Sequence, residues 1–195
     1  MPSKVDIVSN ALLLVGHPAI SSFDPDQGAG AAVGAALYDT TLEFMLSTTY
    51  WRFSVKQQSL NRLTAAPLEG WKYAFQLPTD LVTVHRIRPH SNYQIFGDLL
   101  YSNHDSLIAD YVYKPDATEL PAYFVQAIQY KLAADFAISI TNDTQKNALY
   151  EQKYDREVKI AMAADAKNHP PEQIVDQPFT SVRLFGGGGG FSGSY

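Results

Sequence analysis

An apolar stripe in the last third of the chain limits the possible folds more than any other feature of the sequence. Its members recur at intervals of four residues: Phe124, Ile128, Leu132, Phe136 and Ile140. This spacing places them on one face of an α-helix, whereas a strand would need alternation. It predicts a helix over about residues 121–141, with Pro121 in the first turn. A further helix over about 144–167 is expected to follow, with Asp143 or Thr144 as its N-cap.

The N-terminal region carries the same periodicity twice. Val5, Val8, Leu12 and Val15 predict a helix over about 3–15, which Gly16 would end. A second set of residues shares a helical face further along the chain: Ala29, Val33, Leu37, Thr41, Phe44 and Thr48. This set predicts a long helix over about 26–48, with Asp24 or Asp26 as the expected N-cap.

Alternating apolar residues replace the helical spacing in the middle of the chain. Trp71, Tyr73, Phe75 and Leu77 would share one side of a strand, and Gly97-Asp98 predicts a hairpin turn. The region of about 51–114 is therefore expected to form a small central antiparallel sheet. The predicted fold class is α+β: about four bundled helices, two N-terminal and two C-terminal, with this sheet between the pairs in sequence.

The end of the chain has a different composition. Prolines and the run Gly186–Gly190 disfavour regular structure over 168–195, which we assign as an extended C-terminal arm after a domain spanning 1–167. Apolar residues within the arm are typical of a segment that orders on a partner, with folding back onto its own helices as the alternative. Arg183 is expected to pair with an acidic partner. The predicted contact residues are Ile174, Val175, Phe179, Val182, Arg183, Leu184 and Phe185.

Charge and composition argue against several functional classes. The net charge is −5 and the chain has no block of Lys or Arg, so we expect DNA to be repelled rather than bound. The aromatic cluster at Tyr50, Trp51 and Phe53 is expected in the core, since only Arg52 and Lys56 supply the positive charge that stacking on bases needs. No apolar run is long enough to span a membrane, and the N-terminus does not resemble a signal peptide.

Catalytic and metal-binding signatures are absent from the sequence. There is no cysteine, which excludes disulfides and thiolate ligands. The histidines lack ligand spacing, and Asp24-Pro25-Asp26 is better explained by helix capping than by cation binding. No nucleophile motif occurs. We therefore assign no catalytic, cofactor-binding or metal-binding residue and expect the protein not to be an enzyme.

Three glycines, Gly28, Gly30 and Gly34, raise the alternative of a nucleotide-binding enzyme. A dinucleotide fingerprint needs Gly-x-Gly-x-x-Gly directly after a strand, and here the third glycine comes one residue late. The preceding segment is not a strand, and Asp24 and Asp26 would repel phosphate. Close packing of the helix against another helix or a neighbouring subunit is the better interpretation of these glycines.

The order of segments resembles the tail tubular protein A family, the head-to-tail adaptors of short-tailed bacteriophages. The resemblance covers about residues 5–167. Four segments carry it together, in this order: Tyr50-Trp51-Arg52-Phe53, Leu77-Pro78-Thr79-Asp80, Ala109-Asp110-Tyr111-Val112-Tyr113 and Ala163-Ala164-Asp165-Ala166. The Gly-rich C-terminus lies outside it.

The resemblance implies a structural virion protein of the neck, assembled in the host cytoplasm. Such adaptors form a ring, generally of twelve copies, between the portal protein and the tail nozzle, and complete the neck after packaging. The ring continues the ejection channel, through which DNA passes without specific binding, and C-terminal arms dock onto the portal. The resemblance supplies no catalytic residue. Another tail accessory or receptor-binding module is a further alternative.

Overall fold

The computed structural model describes residues 2–65, 67 and 70–168 and confirms the α+β class. Four helices and seven strands follow one another in the described chain. The helices are α1 (Lys4–Val15), α2 (Ala29–Thr48), α3 (Ala122–Ser139) and α4 (Thr144–Asn168). The strands are β1 (Val55–Ser59), β2 (Asn61–Arg62), β3 (Tyr73–Gln76), β4 (Leu81–Arg88), β5 (Tyr93–Phe96), β6 (Leu99–Ser102) and β7 (Ile108–Tyr113).

Helix α1 begins and ends as the sequence predicts. Ser3 and Asp6 form a capping box, in which each side chain accepts a hydrogen bond from the other residue's backbone N–H. Gly16 ends the helix with φ of 86°, and its N–H donates to the last turn. Left-handed backbone of this kind favours glycine, which has no Cβ to clash.

The start of α2 differs from the prediction. The helix begins at Ala29 rather than 26, because residues Pro25–Gln27 form a separate short 3₁₀ turn. Its N-cap is Gly28 with φ of 86°, so the expectation of Asp24 or Asp26 at this position was wrong. The Asp24 carboxylate instead accepts a hydrogen bond from Ser22 Oγ at 2.6 Å within the preceding loop.

Helix α3 is the centre of the bundle and contacts each of the other three helices. Half of its residues are buried, including Phe124, Ile128, Leu132 and Phe136 from the predicted stripe. Helix α4 then begins at the Asp143 cap, whose Oδ1 accepts hydrogen bonds from the N–H groups of Gln145 and Lys146. The two predicted C-terminal helices are thus confirmed to within two residues at each end.

The β region forms two antiparallel sheets rather than the single sheet that we predicted. One has the strand order β1-β7-β4 and the other β2-β3-β6-β5. Leu60 lies between β1, which belongs to the first sheet, and β2, which belongs to the second. Its backbone N–H donates a hydrogen bond to Leu107 O at 2.9 Å. Side chains from both sheets share a second hydrophobic core that includes Phe75 and Leu100. The hairpin predicted at Gly97-Asp98 is confirmed between β5 and β6.

One buried carboxylate joins the end of α4 to the point where the chain leaves α2 for the sheets. Asp165 Oδ2 accepts a hydrogen bond from Arg52 N at 2.7 Å, and its Oδ1 accepts from Phe53 N at 3.3 Å and from Tyr123 Oη at 2.8 Å. The neighbouring Trp51 is fully buried and donates its Nε1–H to Met45 O. Asp165 therefore fixes the junction between bundle and sheets.

We predict that Asp165→Ala lowers the free energy of unfolding by about 2–4 kcal/mol, because it leaves buried donors without an acceptor. Asp165→Asn, which keeps one carbonyl oxygen, should fall between this variant and the parent protein. The matched control is Asp155→Ala at an exposed position of the same helix, with an effect within about 0.5 kcal/mol. Urea denaturation measures all three, and equal losses at positions 155 and 165 would contradict the assignment.

A surface ion network connects α1, α2 and the segment after β7. Asp39 pairs with Lys4 at 2.6 Å and with Lys114 at 3.0 Å, and Lys114 also pairs with Glu43 at 2.9 Å. Burial favours a higher pKa for the Asp39 carboxyl, but the hydrogen bonds and charges of the two lysines outweigh it. The pKa of Asp39 therefore lies below its ordinary value of 3.8.

A lowered folded-state pKa gives stability that is complete above the unfolded-state pKa and is lost as the pH falls through the folded-state value. We therefore expect Asp39→Asn to be less stable than the parent protein at neutral pH, by no more than about 1 kcal/mol because these side chains are partly exposed. The difference should shrink as the pH falls below 3.8. Chemical denaturation across this range tests it, with Asp105→Asn as the control for the loss of one negative charge at an exposed position.

Candidate interaction surface

The glycines of the predicted close-packing site face different environments. A Cβ added to Gly34 would overlap Val8 Cγ1 of α1, and one added to Gly30 would lie 2.7 Å from His17 Cε1. A Cβ at Gly28 would meet nothing within 4 Å, and that glycine serves the positive φ at the helix start. Gly30 and Gly34 thus let α2 approach α1 and the loop after it, within the same chain.

The seven predicted contacts of the arm cannot be placed. Ile174, Val175, Phe179, Val182, Arg183, Leu184 and Phe185 lie outside the described residues. Their contacts with a portal protein or a neighbouring subunit stay predictions.

The described part of the chain has neither a cluster of metal ligands nor a membrane-spanning helix. Residues 2–65, 67 and 70–168 contain no group of three or more His, Asp or Glu side chains arranged to hold a metal ion. None of the described helices combines the length and apolar character needed to cross a bilayer.

An apolar groove runs between α2 and α3 at the surface of the bundle. Leu37, Thr41 and Phe44 line it from α2, and Ile138 lines it from α3, around a volume of about 620 Å³. Phe44 is 49% exposed and Ile138 is 43% exposed. Large apolar side chains that share an exposed groove are typical of a surface that another protein covers.

The charged side chains beside the groove compensate one another. Lys131 lies 2.6 Å from Glu151 and 3.5 Å from Asp135. Burial favours a lower pKa for Lys131, but these carboxylates outweigh it and raise the pKa, so the lysine stays charged. Burial raises the pKa of Asp135, so its carboxylate is more easily protonated. Another molecule could cover the groove without leaving an isolated charge.

The sequence placed Leu37 and Phe44 on one face of α2 but gave no indication that this face lines a groove. In the structure these two residues line the groove, while Tyr38, Leu42 and Met45 enter the core. A detectable signal was present in the sequence, since both sets are apolar at helical spacing. A helix with apolar residues on more than one face has more apolar surface than a single core contact covers.

Two large apolar side chains of α4 are also exposed. Ile160 and Met162 are about half exposed on either side of Ala161, which is buried in the bundle core, so they lie on different sides of the helix. Lys153, Arg156 and Lys159 of the same helix are exposed as well. The groove and the part of α4 that exposes Ile160 are therefore two different surfaces available for contacts.

No protein-family model matches the chain, and no curated protein sequence shows significant similarity to it.

The contact at Gly34 makes a direct prediction. Gly34→Ala should lower the free energy of unfolding by about 1–2 kcal/mol, because the clash with Val8 exceeds the gain of about 1 kcal/mol in helix propensity. Val8→Ala removes the clashing methyl groups. In the double variant the cost of the alanine at position 34 should therefore disappear, which a thermal or urea double-mutant cycle measures. Stabilisation by Gly34→Ala alone would show that the two helices do not constrain each other there.

Proposed function

We propose that the protein is a head-to-tail adaptor of a short-tailed bacteriophage and forms a ring, with twelve copies as the expected number, between the portal and the tail nozzle. Its proposed role is to continue the DNA ejection channel and to complete the neck after packaging. The proposed location is the neck of the virion, with assembly in the host cytoplasm. This proposal extends the family resemblance and assigns no catalytic residue.

The groove between α2 and α3 is the observation that carries the proposal. A closed ring requires a heterologous contact, in which one surface of each subunit meets a different surface of its neighbour. The groove around Phe44 and Ile138 and the part of α4 that exposes Ile160 are two such unlike surfaces. We propose that α4 of a second copy enters the groove of the first, so that the same contact repeats around the ring.

The proposed occupant, α4 of a second copy, carries side chains that suit the groove. Ile160 supplies an apolar side chain for its wall, and the exposed cation Lys159 of the same helix can approach Asp135 and Glu151 at the rim. The net charge of −5 suits a channel wall that does not retain DNA. In this proposal the arm residues, including Phe179 and Leu184, anchor each copy to a portal subunit.

The proposal is tested by electron microscopy of the full chain mixed with portal rings from the same genome. We expect twelvefold decoration by the parent protein. Phe44→Asp should reduce complete rings at least tenfold, because it would bury an unpaired carboxylate in the contact. Ile95→Asp is the matched control, since Ile95 is a similarly exposed apolar residue on β5, and it should decorate like the parent protein.

A chain that ends at Asn168 separates the arm from the groove in the same experiment. Loss of decoration by the shortened chain, with its unfolding curve unchanged, supports the arm as the portal anchor. Decoration at full strength would contradict the role of the arm and leave the lateral contact in place. Absence of any complex between the parent protein and portal rings would contradict the adaptor proposal itself.

A further inference from the structure

An irregularity in β4 changes the direction of one side chain. In the pairing of β4 with β7, Val84 lies opposite Tyr111 and Arg86 lies opposite Asp110, so His85 is an extra residue in β4. Such a bulge interrupts the regular alternation of side chains and is a common way to redirect one of them. The His85 ring stacks on Tyr50, with 4.2 Å between ring centroids and 26° between ring planes.

The redirected histidine lines a cleft that concentrates positive charge. The cleft has a volume of about 550 Å³, and six of its lining residues are Tyr50, Arg52, His85, Arg86, Arg88 and Asp110. Three arginines thus surround a single carboxylate, in a chain whose net charge is −5. A volume of this size falls within the ordinary range of small-ligand sites.

One arginine of the cleft, Arg86, forms no ion pair within the described residues. Arg88 pairs with Asp110 at 3.1 Å, and Gln57 Nε2 donates to the other oxygen of the same carboxylate at 2.6 Å. Both Asp110 oxygens are therefore occupied. Arg86 forms no ion pair with any residue of the described chain. Its guanidinium is available to an anion.

The aromatic side of the cleft offers a flat surface beside this charge. Tyr50 is 46% exposed although it precedes the fully buried Trp51, so the expectation that Tyr50 lies in the core was wrong. One face of its ring is covered by His85, which holds the ring in place and leaves the side chain accessible to solvent. Aromatic faces of this kind stack on nucleobases of any sequence.

We infer that this cleft binds a nucleotide unit, with the phosphate at Arg86 and Arg88 and the base stacked on Tyr50. An arginine presents a planar set of donors that matches phosphate oxygens, and an adjacent aromatic face adds the recognition of a base. An acidic peptide would use the arginines but not the stacking surface, so the nucleotide is favoured. The inference is independent of the adaptor proposal and is not affected by its failure.

Fluorescence anisotropy of the full chain with a short labelled oligothymidylate tests the inference at about 50–200 mM salt. Two phosphate contacts predict a slope of about −1.4 when the logarithm of the binding constant is plotted against that of the salt concentration. Arg86→Ala should weaken binding about tenfold and reduce the slope to about −0.7. Arg156→Ala removes the same charge from an exposed position on α4 and should change neither quantity.

The proposed stacking of a base on Tyr50 is tested separately from the phosphate contacts. Tyr50→Ala should weaken binding about tenfold with an unchanged salt slope, because it removes a base contact and no phosphate contact. Tyr50→Phe should bind like the parent protein. Because Tyr50 and Arg86 are exposed, thermal unfolding of each variant should match that of the parent protein, which separates loss of binding from loss of fold.

Competition identifies the source of the nucleotide. Displacement of the oligonucleotide by thymidine monophosphate supports a site for free nucleotides, whereas displacement by unlabelled oligonucleotide alone supports a site for a strand. Poly-glutamate that competes as well as the oligonucleotide would overturn the inference, since the cleft would then accept any anion. Binding that is absent, or that Arg86→Ala and Arg156→Ala weaken equally, would overturn it as well.

Discussion

The hydrogen bonds to the buried carboxylate of Asp165 determine how the two parts of the molecule meet. A helical bundle and a pair of sheets have separate hydrophobic cores, and the polypeptide passes between them at Arg52 and Phe53. The backbone N–H groups there need acceptors, because an unpaired buried donor costs about 1–3 kcal/mol. Asp165 supplies those acceptors from the end of α4 and binds Tyr123 of α3 as well. The position of Tyr50, two residues before the first of these contacts, follows from this arrangement.

Helix α3 explains why the bundle keeps an apolar groove on its surface. It contacts α1, α2 and α4 and has half of its residues buried, whereas Ile138 near its end is exposed and lines the groove. Gly30 and Gly34 bring α2 close to α1, while Leu37 and Phe44 lie on a different face of the same helix. The tight contact on one side of α2 and the open groove on the other therefore have a common origin, which is a helix with apolar residues around most of its circumference.

The sequence predicted the helices well because their signals are local. Apolar spacing and the Asp143 cap depend on residues a few positions apart, and α1, α3 and α4 match their predicted bounds closely. The predicted N-cap of α2 was wrong because the actual cap is Gly28, whose positive φ depends on the path of the preceding loop. The single predicted sheet was wrong because strand partners are separated by long stretches of sequence. The cleft at Arg86 escaped prediction for the same reason, since the bulge exists only in the register of β4 against β7.

The net negative charge and the proposed phosphate site in the basic cleft would act on a nucleic acid at different places on the surface. At physiological salt, exposed charges are screened beyond about 8 Å, so the net charge of −5 acts on a nucleic acid only when it is close to the protein. A phosphate inside the cleft would lie beside Arg86 and Arg88 instead. Repulsion over most of the surface and attraction at the cleft would therefore coexist in one subunit. In a ring of such subunits, this combination would keep DNA away from most of the wall while allowing brief contacts at one repeated position on each copy.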